Sequence, residues 1–359
     1  MRATRIGVLG VGHIGAVHLQ SARAMDETSL VGAADVSPAN RSLARRLGAP
    51  TVYEDFADLL ASEPVDVAVV ALPPFLHEEA ALRAVEAGCA VFVEKPLARS
   101  VVEARRIVDA AAGADVPLAV DHTLRYQPEM RRLKAAYEEG SLGHVPLCHL
   151  ARINNGPFEG PSTSKPVPEW PLDPDATGGG AVMDLGVHLF DFLEWVFGEM
   201  RVCHAALDRQ LELDYEDTAA VTLRSTETGT IATAHCGFYQ WEEPPTVNMQ
   251  VRLEGIAESI ANTDFVPDFY RHAGTSALAN VGKRLLGRDP DYFEPTYYYR
   301  AHFEALRDFV EAVRDDREAP VSGADGLRAL ELVEETYRLA DDGPMGEPPG
   351  QEPLGVEHD

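Results

Sequence analysis

Asp184 and His188 stand four residues apart in the stretch Gly178–His188, GGGAVMDLGVH, which runs on through Leu189-Phe190-Asp191. On an α-helix, residues four apart lie one above the other on one face. A carboxylate beside an imidazole fixes its tautomer and supports its charged form, as a proton-transferring histidine requires. An ordinary pair on a wet helix face has the same spacing, and taken alone the pair favours that plainer reading. A third group comes from Glu94-Lys95-Pro96. An ammonium can hydrogen-bond a reacting hydroxyl oxygen and stabilise developing alkoxide charge. Pro96 biases Lys95 toward an extended backbone. Lys95 is one of only four lysines, with Lys134, Lys165 and Lys283, in a chain that otherwise uses arginine.

The elements that must position these groups begin at the N-terminus. The apolar run Arg5–Leu9 leads directly into Gly10-Val11-Gly12-His13-Ile14-Gly15, and a helical pattern follows to Ala24. Strand, GxGxxG, helix is the context of a dinucleotide fingerprint. Gly10 permits the tight turn, Gly12 admits the pyrophosphate, and Gly15 lets helix and strand pack closely. His13 and Ile14 open the helix whose N-terminus receives the phosphates. A second strand, Ser29–Ala34, ends in Asp35, placed to bind the ribose hydroxyls and repel a 2′-phosphate. That favours NAD, while Ser37 and Arg41 leave NADP open. Strands and helices then alternate. Val67–Ala71 is wholly apolar, as a strand buried on both faces should be. Ala90–Val93 delivers Glu94-Lys95-Pro96 at its carboxyl end, where ligands of open α/β sheets bind. Ser100 and Glu103 form a capping-box pattern. Pro117–Val120 is the last strand, so residues 1–122 are expected to form a doubly wound parallel sheet.

Residues 123–343 have a different texture. Strands follow in series at Val145–Asn154, Met200–Leu211, Asp217–Ser225, Thr230–Phe238 and Val247–Glu254, with period-two alternation in the last. That predicts an α+β domain with an open, mainly antiparallel sheet, into which Gly178–Phe197 is inserted as one long helix. The exposed face of such a sheet suits a homodimer or homotetramer. Arg152 and Asn154 close a strand that leads toward the cleft; they are hydroxyl-binding candidates, and plain surface polars on the opposing reading. Asn155–Thr177, with six prolines and Trp170, is a candidate specificity loop. Asn262–Pro295 is another, with Phe265, Phe269, Tyr270 and a basic helix at Ser276–Leu286. Tyr297–Val313 and Asp325–Ala340 read as closing helices, with His302 on a helix surface. Residues 344–359 read as a disordered acidic tail.

Composition bounds the rest. The chain has 359 residues and a net charge of −27 from 58 acidic and 31 basic residues. Such a surface repels nucleic acid and anionic membranes and fits a salt-adapted cytoplasm. No apolar run reaches the length of a membrane span, and no signal-peptide pattern opens the sequence. Cys89, Cys148, Cys203 and Cys236 lack CxxC spacing, so neither a disulfide framework nor a zinc site is read from them.

GxGxxG, then EKP after the fifth strand, then GGGxxxDxGxH together resemble the glucose–fructose oxidoreductase/inositol dehydrogenase/rhizopine-catabolism (Gfo/Idh/MocA) family. The resemblance runs from Arg5 to about Gly343. It implies an NAD(P)-dependent dehydrogenase or reductase acting on CH–OH groups of a sugar, polyol or cyclitol. It places catalysis on Lys95, Asp184 and His188, and puts Leu72, Pro73 and His77 near the nicotinamide with Glu94 beside them. It makes Arg125 a candidate for touching substrate or cofactor; Asn154 and Trp170, read from their positions, join it with Asp184 and His188 as substrate-binding candidates. No metal is implied. A glycosidase that uses NAD for a transient oxidation and a non-catalytic ligand-sensing regulator share the scaffold and stand as alternatives. A dehydratase-like or reductase role in nucleotide-sugar metabolism also stays open.

Overall fold

A computed structural model of the chain describes residues 2–158, 169–211, 213–239, 248–265, 278, 281–283, 285 and 297–341. Phe269, Tyr270 and the acidic tail lie outside the described residues, as does the middle of the proline-rich loop. Of the basic helix expected at 276–286, only positions 278, 281–283 and 285 are described, and they are helical.

The first sheet contains β1 (Thr4–Leu9), β2 (Thr28–Ala34), β3 (Val52–Tyr53), β4 (Val67–Val70), β5 (Ala90–Val93) and β6 (Leu118–Val120). Their spatial order is β3-β2-β1-β4-β5-β6, every pair parallel. The order reverses between β1 and β4, the crevice in which doubly wound folds bind ligands. Helices α1 (His13–Ala24), α2 (Pro38–Arg46), α3 (Phe56–Ser62), α4 (His77–Glu86) and α5 (Val101–Ala114) make the crossovers. All four residues of β4 are buried, because helices cover both faces. The Ser100 side chain caps α5 by accepting from the Glu103 amide. Glu103 completes the exchange one residue earlier than the usual box, on the Arg99 amide at 3.1 Å.

After α6 (Pro128–Glu138) comes the second sheet: β7 (Leu147–Ile153), β8 (Met200–Asp208), β9 (Thr218–Ser225), β10 (Ile231–Gly237), β11 (Asn248–Glu254) and β12 (Ser259–Ala261). Its order is β12-β11-β7-β10-β9-β8. The β7–β10 pair is parallel and every other pair antiparallel, so the sheet is mixed. The alternation read from the sequence cannot see that register, since a parallel and an antiparallel neighbour impose the same period of two.

The expected long helix at Gly178–Phe197 is three pieces. A short turn, α7 (Pro174–Thr177), ends at Gly178. Val182–Gly186 is a π-helix, and α8 (Val187–Phe197) follows. α8 is apolar nearly all round, and Leu189, Phe190, Phe192 and Leu193 are fully buried, as befits a helix enclosed between layers. Each such side chain contributes roughly 1.5–3 kcal/mol of burial free energy. The last helices, α9 (Tyr297–Arg314) and α10 (Gly323–Asp341), return to the first sheet. Ala301, Leu306, Phe309 and Val310 of α9 join Ile6, Val8 and Phe92 in one core cluster. The Val120 amide donates to the Val321 carbonyl at 3.0 Å, beside the edge strand β6. Leu330 of α10 shares a second core with Val70, Phe190 and Val251, so apolar packing is continuous from one sheet to the other. No helix among the described residues is long and apolar enough to cross a membrane.

Candidate active site

A cleft of about 1380 Å³ runs along the carboxyl edge of the first sheet. Gly10, Gly12, His13, Ile14, Asp35, Leu72, Pro73, Glu94 and Lys95 line it from one side, and Trp170, Gly180, Asp184, Tyr215 and Phe238 from the other.

The nucleotide side is built from close backbone approaches. Gly10 has φ +89°, and a Cβ there would lie 2.3 Å from the Ala71 carbonyl oxygen. At Gly15 a Cβ would lie 2.0 Å from the Gly10 oxygen. Both sites therefore exclude any larger residue. At Gly12 a Cβ meets nothing within 4 Å, so this backbone faces open space. α1 has no side-chain cap and no acid in its first turn, leaving its N-terminus free for an anion. The Asp35 carboxylate is held at the end of β2 by the Val11 amide (2.7 Å), the Ser37 amide (2.8 Å) and the Asn40 side-chain amide (3.1 Å). Arg41 is drawn to the carbonyls of Asp35 and Val36 and to Glu54. The cradle and the fixed acid fit a nicotinamide dinucleotide.

Lys95 follows β5, joined to Pro96 by a cis peptide bond. Its Nζ lies 2.6 Å from Oδ1 of Asp184 and 3.0 Å from the Asp184 carbonyl oxygen. Burial works to raise the Asp184 pKa, but the Lys95 charge and hydrogen bond outweigh it, with Arg152 adding, and hold it below the usual carboxylate range. The Asp184 side chain is 46% exposed and lines the cleft.

His188 is 2% exposed, and neither ring nitrogen has a hydrogen-bond partner among the described residues. Burial, then the charges of Arg152 and Lys95, hold its pKa well below the ordinary 6.5. The His122 ring meets it edge-on, with centroids 6.3 Å apart. Asp184 does not orient His188 as the four-residue spacing suggested. The π turn at Val182–Gly186 departs from the α spacing that would stack the two, and the carboxylate is committed to Lys95. Met183 and Asp184 face the cleft, while His188 sits deeper in the wall.

Other expected site residues divide. Trp170 lines the cleft. Arg125 does not: Nε and Nη2 bind Asp191 at 3.0 and 2.6 Å, and Nη2 also reaches Asp325 at 3.0 Å. The substrate-binding reading of Arg125 thus gives way to a buried clamp, because two carboxylates already satisfy the guanidinium. Asn154 is used locally, its Oδ1 accepting from the Gly156 amide at 2.8 Å. His77 is fully buried and off the cleft; its Nε2 and Nδ1 contact the carbonyls of Leu72 (2.7 Å) and Pro96 (2.8 Å). It braces the two loops that present Leu72, Pro73 and Lys95, and burial lowers its pKa. His302, expected on a helix surface, is 2% exposed with Nδ1 2.6 Å from Asp121, because that face of α9 packs on the first sheet.

One residue had no local signal. Glu216 accepts from the amides of Gly180 (3.1 Å) and Val182 (3.0 Å) and from the Tyr337 hydroxyl (2.8 Å). It caps the turn that presents Asp184, and burial raises its pKa. Thirty-six residues separate it from Gly180, so no spacing rule connects them.

Fold and cleft together fit a dinucleotide-dependent oxidoreductase. Comparison with known proteins gives the family. Residues 4–122 match the Gfo/Idh/MocA oxidoreductase family, NAD-binding Rossmann fold, and residues 130–255 match a Gfo/Idh/MocA C-terminal domain. The chain is 29% identical over 339 residues to myo-inositol 2-dehydrogenase of Thermotoga maritima, covering 91% of this chain and 93% of the relative. It is 30% identical over 269 residues to inositol 2-dehydrogenase 4 of Saccharopolyspora erythraea, covering 72% of each. The structure of GenD2 from gentamicin A biosynthesis, in complex with NAD, superposes with a TM-score of 0.78 at 26% identity over 95% of both chains. The chain belongs to the Gfo/Idh/MocA family of NAD-binding oxidoreductases.

Proposed function

We propose that the protein is an NAD-preferring dehydrogenase that oxidises a secondary hydroxyl of an uncharged sugar, polyol or cyclitol. The observation that carries this reading is the Lys95–Asp184 pair, 2.6 Å apart in a cleft bounded by the open Gly12 backbone. The dinucleotide, held by Gly10–Gly15 and Asp35, supplies the hydride acceptor. Lys95 hydrogen-bonds the reacting oxygen and stabilises its developing negative charge. His188, kept neutral by the burial that depresses its pKa, lies behind Asp184 in the cleft wall at 2% exposure, and is assigned the hydroxyl proton once substrate is seated against that wall. Asp184 holds the ammonium of Lys95 in place and accepts from a neighbouring substrate hydroxyl.

Three features support the substrate class and cofactor. Among the described residues Lys95 is the only Lys or Arg lining the cleft, and it is already paired, so none of them counters a phosphate or carboxylate on the substrate. Trp170, Tyr215 and Phe238 offer apolar faces to the C–H side of a ring. Arg41, the residue best placed to meet a 2′-phosphate, is engaged elsewhere, which favours NAD. The relatives named for inositol point to a cyclitol as the first compound to try. The exposed residues of the second sheet, Ile231 among them at 40%, suit a second copy of the chain; light scattering on the eluting protein tests that. The acidic surface fits a cytoplasm rich in salt.

The deciding experiment follows reduced nicotinamide spectrophotometrically, with NAD and NADP, against cyclitols, polyols and sugars and their phosphate esters, in dilute buffer and molar potassium chloride. Turnover of neutral compounds with NAD is expected. Turnover confined to phosphorylated or carboxylated compounds, or reaction without net dinucleotide reduction, overturns the reading.

A further inference from the structure

Four side chains that the proposed reaction does not use meet in the interior beside the Lys95 loop. His18 comes from α1, Glu94 from the end of β5, Asp121 from the end of β6 and His302 from α9. Their exposures are 0, 8, 0 and 2%. Nε2 of His18 lies 2.7 Å from Oε1 of Glu94 and 3.3 Å from Oδ2 of Asp121. Nδ1 of His302 lies 2.6 Å from that Asp121 oxygen and 3.5 Å from that Glu94 oxygen. One donor atom from each residue thus converges, all within 4.8 Å of one another.

We propose that this quartet is a structural site for one divalent transition-metal ion, with zinc the best match. Two imidazole nitrogens and two carboxylate oxygens form a common zinc donor set, and the imidazoles disfavour calcium and magnesium. Tetrahedral bonds of about 2.0–2.1 Å place neighbouring donors roughly 3.3 Å apart. Of the tetrahedron's six edges, four are the nitrogen–oxygen distances given above, and two of those already stand at 3.3 and 3.5 Å. The other two widen by about 0.6–0.7 Å, and the nitrogen–nitrogen and oxygen–oxygen edges, now within 4.8 Å, adjust through small side-chain rotations.

Charge points the same way. Two carboxylates are enclosed here, and the ammonium of the adjacent Lys95 is engaged with Asp184. A divalent ion neutralises the pair, a charge that the hydrogen-bonded imidazoles of His18 and His302 must otherwise balance. Oδ1 of Asp121 has no exposure and no hydrogen-bond partner among the described residues. It is the oxygen outside the quartet, and a bare buried carboxylate oxygen calls for an ion or a water beside it. Glu94 also lines the cleft, which provides an entry route.

All four positions are filled by protein, so the ion has no open place for substrate and its role is structural. It ties α9, from the far end of the chain, to α1 and the ends of two strands. It also fixes the residue immediately before Lys95.

The test is metal analysis of the full-length chain by plasma mass spectrometry, after chelator treatment and again after incubation with zinc chloride and gel filtration. The expected result is about one zinc per chain, with a melting midpoint roughly 5 °C or more above that of the stripped protein. His18→Gln and Asp121→Asn are expected to lower retained zinc by about tenfold or more. His122→Gln, which alters a buried histidine outside the quartet, is expected to keep it. Zinc below about 0.2 per chain with an unchanged midpoint overturns the proposal, as does full retention in both quartet variants. Should neither quartet variant fold, X-ray absorption of the zinc-loaded wild type decides. Four nitrogen or oxygen donors including two imidazoles support the site, and any other first shell refutes it.

Discussion

The two sides of the cleft are made of different material. On the nucleotide side the shape is set by main chain: Gly10 and Gly15 pack where no Cβ fits, Gly12 lies open, and backbone amides hold Asp35. On the substrate side glycine packing recurs at Gly178 and Gly180, where a Cβ would fall 2.4 and 1.9 Å from carbonyl oxygens, but the reacting groups are placed by side chains reaching across long sequence separations. Lys95 meets Asp184 across 89 residues and Glu216 meets Tyr337 across 121. Main-chain constraints act on residue type at fixed spacing, so a motif records them. Side-chain constraints depend on which surfaces the fold brings together, and a motif records only that the residues are present.

The contrast is most exposed at His188. His188→Ala is expected to lower kcat by about 10²–10⁴-fold while leaving dinucleotide affinity, measured by fluorescence titration, nearly unchanged. Turnover near the wild-type rate removes His188 as proton acceptor. Next in size is the buried clamp. Arg125→Met strands Asp191 in the core and is expected to cost about 3–5 kcal/mol of stability, measured as a lowered urea midpoint. A small stability change with a large rise in KM instead returns Arg125 to the substrate. The glycines separate shape from fold. Gly12→Ala should melt like wild type yet bind the dinucleotide about tenfold more weakly, or about 1.4 kcal/mol. Gly15→Ala should lose stability first, since its Cβ falls 2.0 Å from a carbonyl oxygen. Equal melting of the two variants breaks the distinction.

The smallest effect is in pH. His188 has a folded pKa below the ordinary 6.5, chiefly through burial. As pH falls through about 6.5 the unfolded chain takes up the proton first, so this group's share of stability is complete above that value and is lost below it. A single group gives at most about 1.4 kcal/mol per pH unit. His77 and His122 are depressed in the same direction, so the informative measurement is the difference between wild type and His188→Gln. The variant should show the shallower decline in acid. The acid limb of kcat/KM should likewise fall below pH 6.5; a limb at or above 6.5 contradicts a desolvated base.

Much of this molecule is legible in the chain. β1, β2, β4, β5 and β6 follow from apolar runs and glycine turns, and β7 to β11 fall within a few residues of the runs that announce them, while the short strands β3 and β12 have no such run. What escapes is partnership. Asp184 and His188 share a spacing that an α-helix turns into a pair, and a π turn, indistinguishable in composition, separates them. Arg125 has the residue type of an anion binder, but its counterions are Asp191 and Asp325, 66 and 200 residues away. His302 lies on a helix with polar neighbours, and what buries it is a sheet built from the other end of the chain. Asn154 is spent on its own turn, a use that a polar residue at a strand end always has open to it.

The π turn at Val182–Gly186 also constrains how this protein can change length. A residue removed there restores α spacing and rotates everything upstream by about 100° about the axis of α8. Asp184 then leaves Lys95 even though every side chain named in the site is still present. Natural insertions and deletions should therefore collect outside those five positions. A chain that retains GGG, Asp and His but has lost one intervening residue should be folded and catalytically silent.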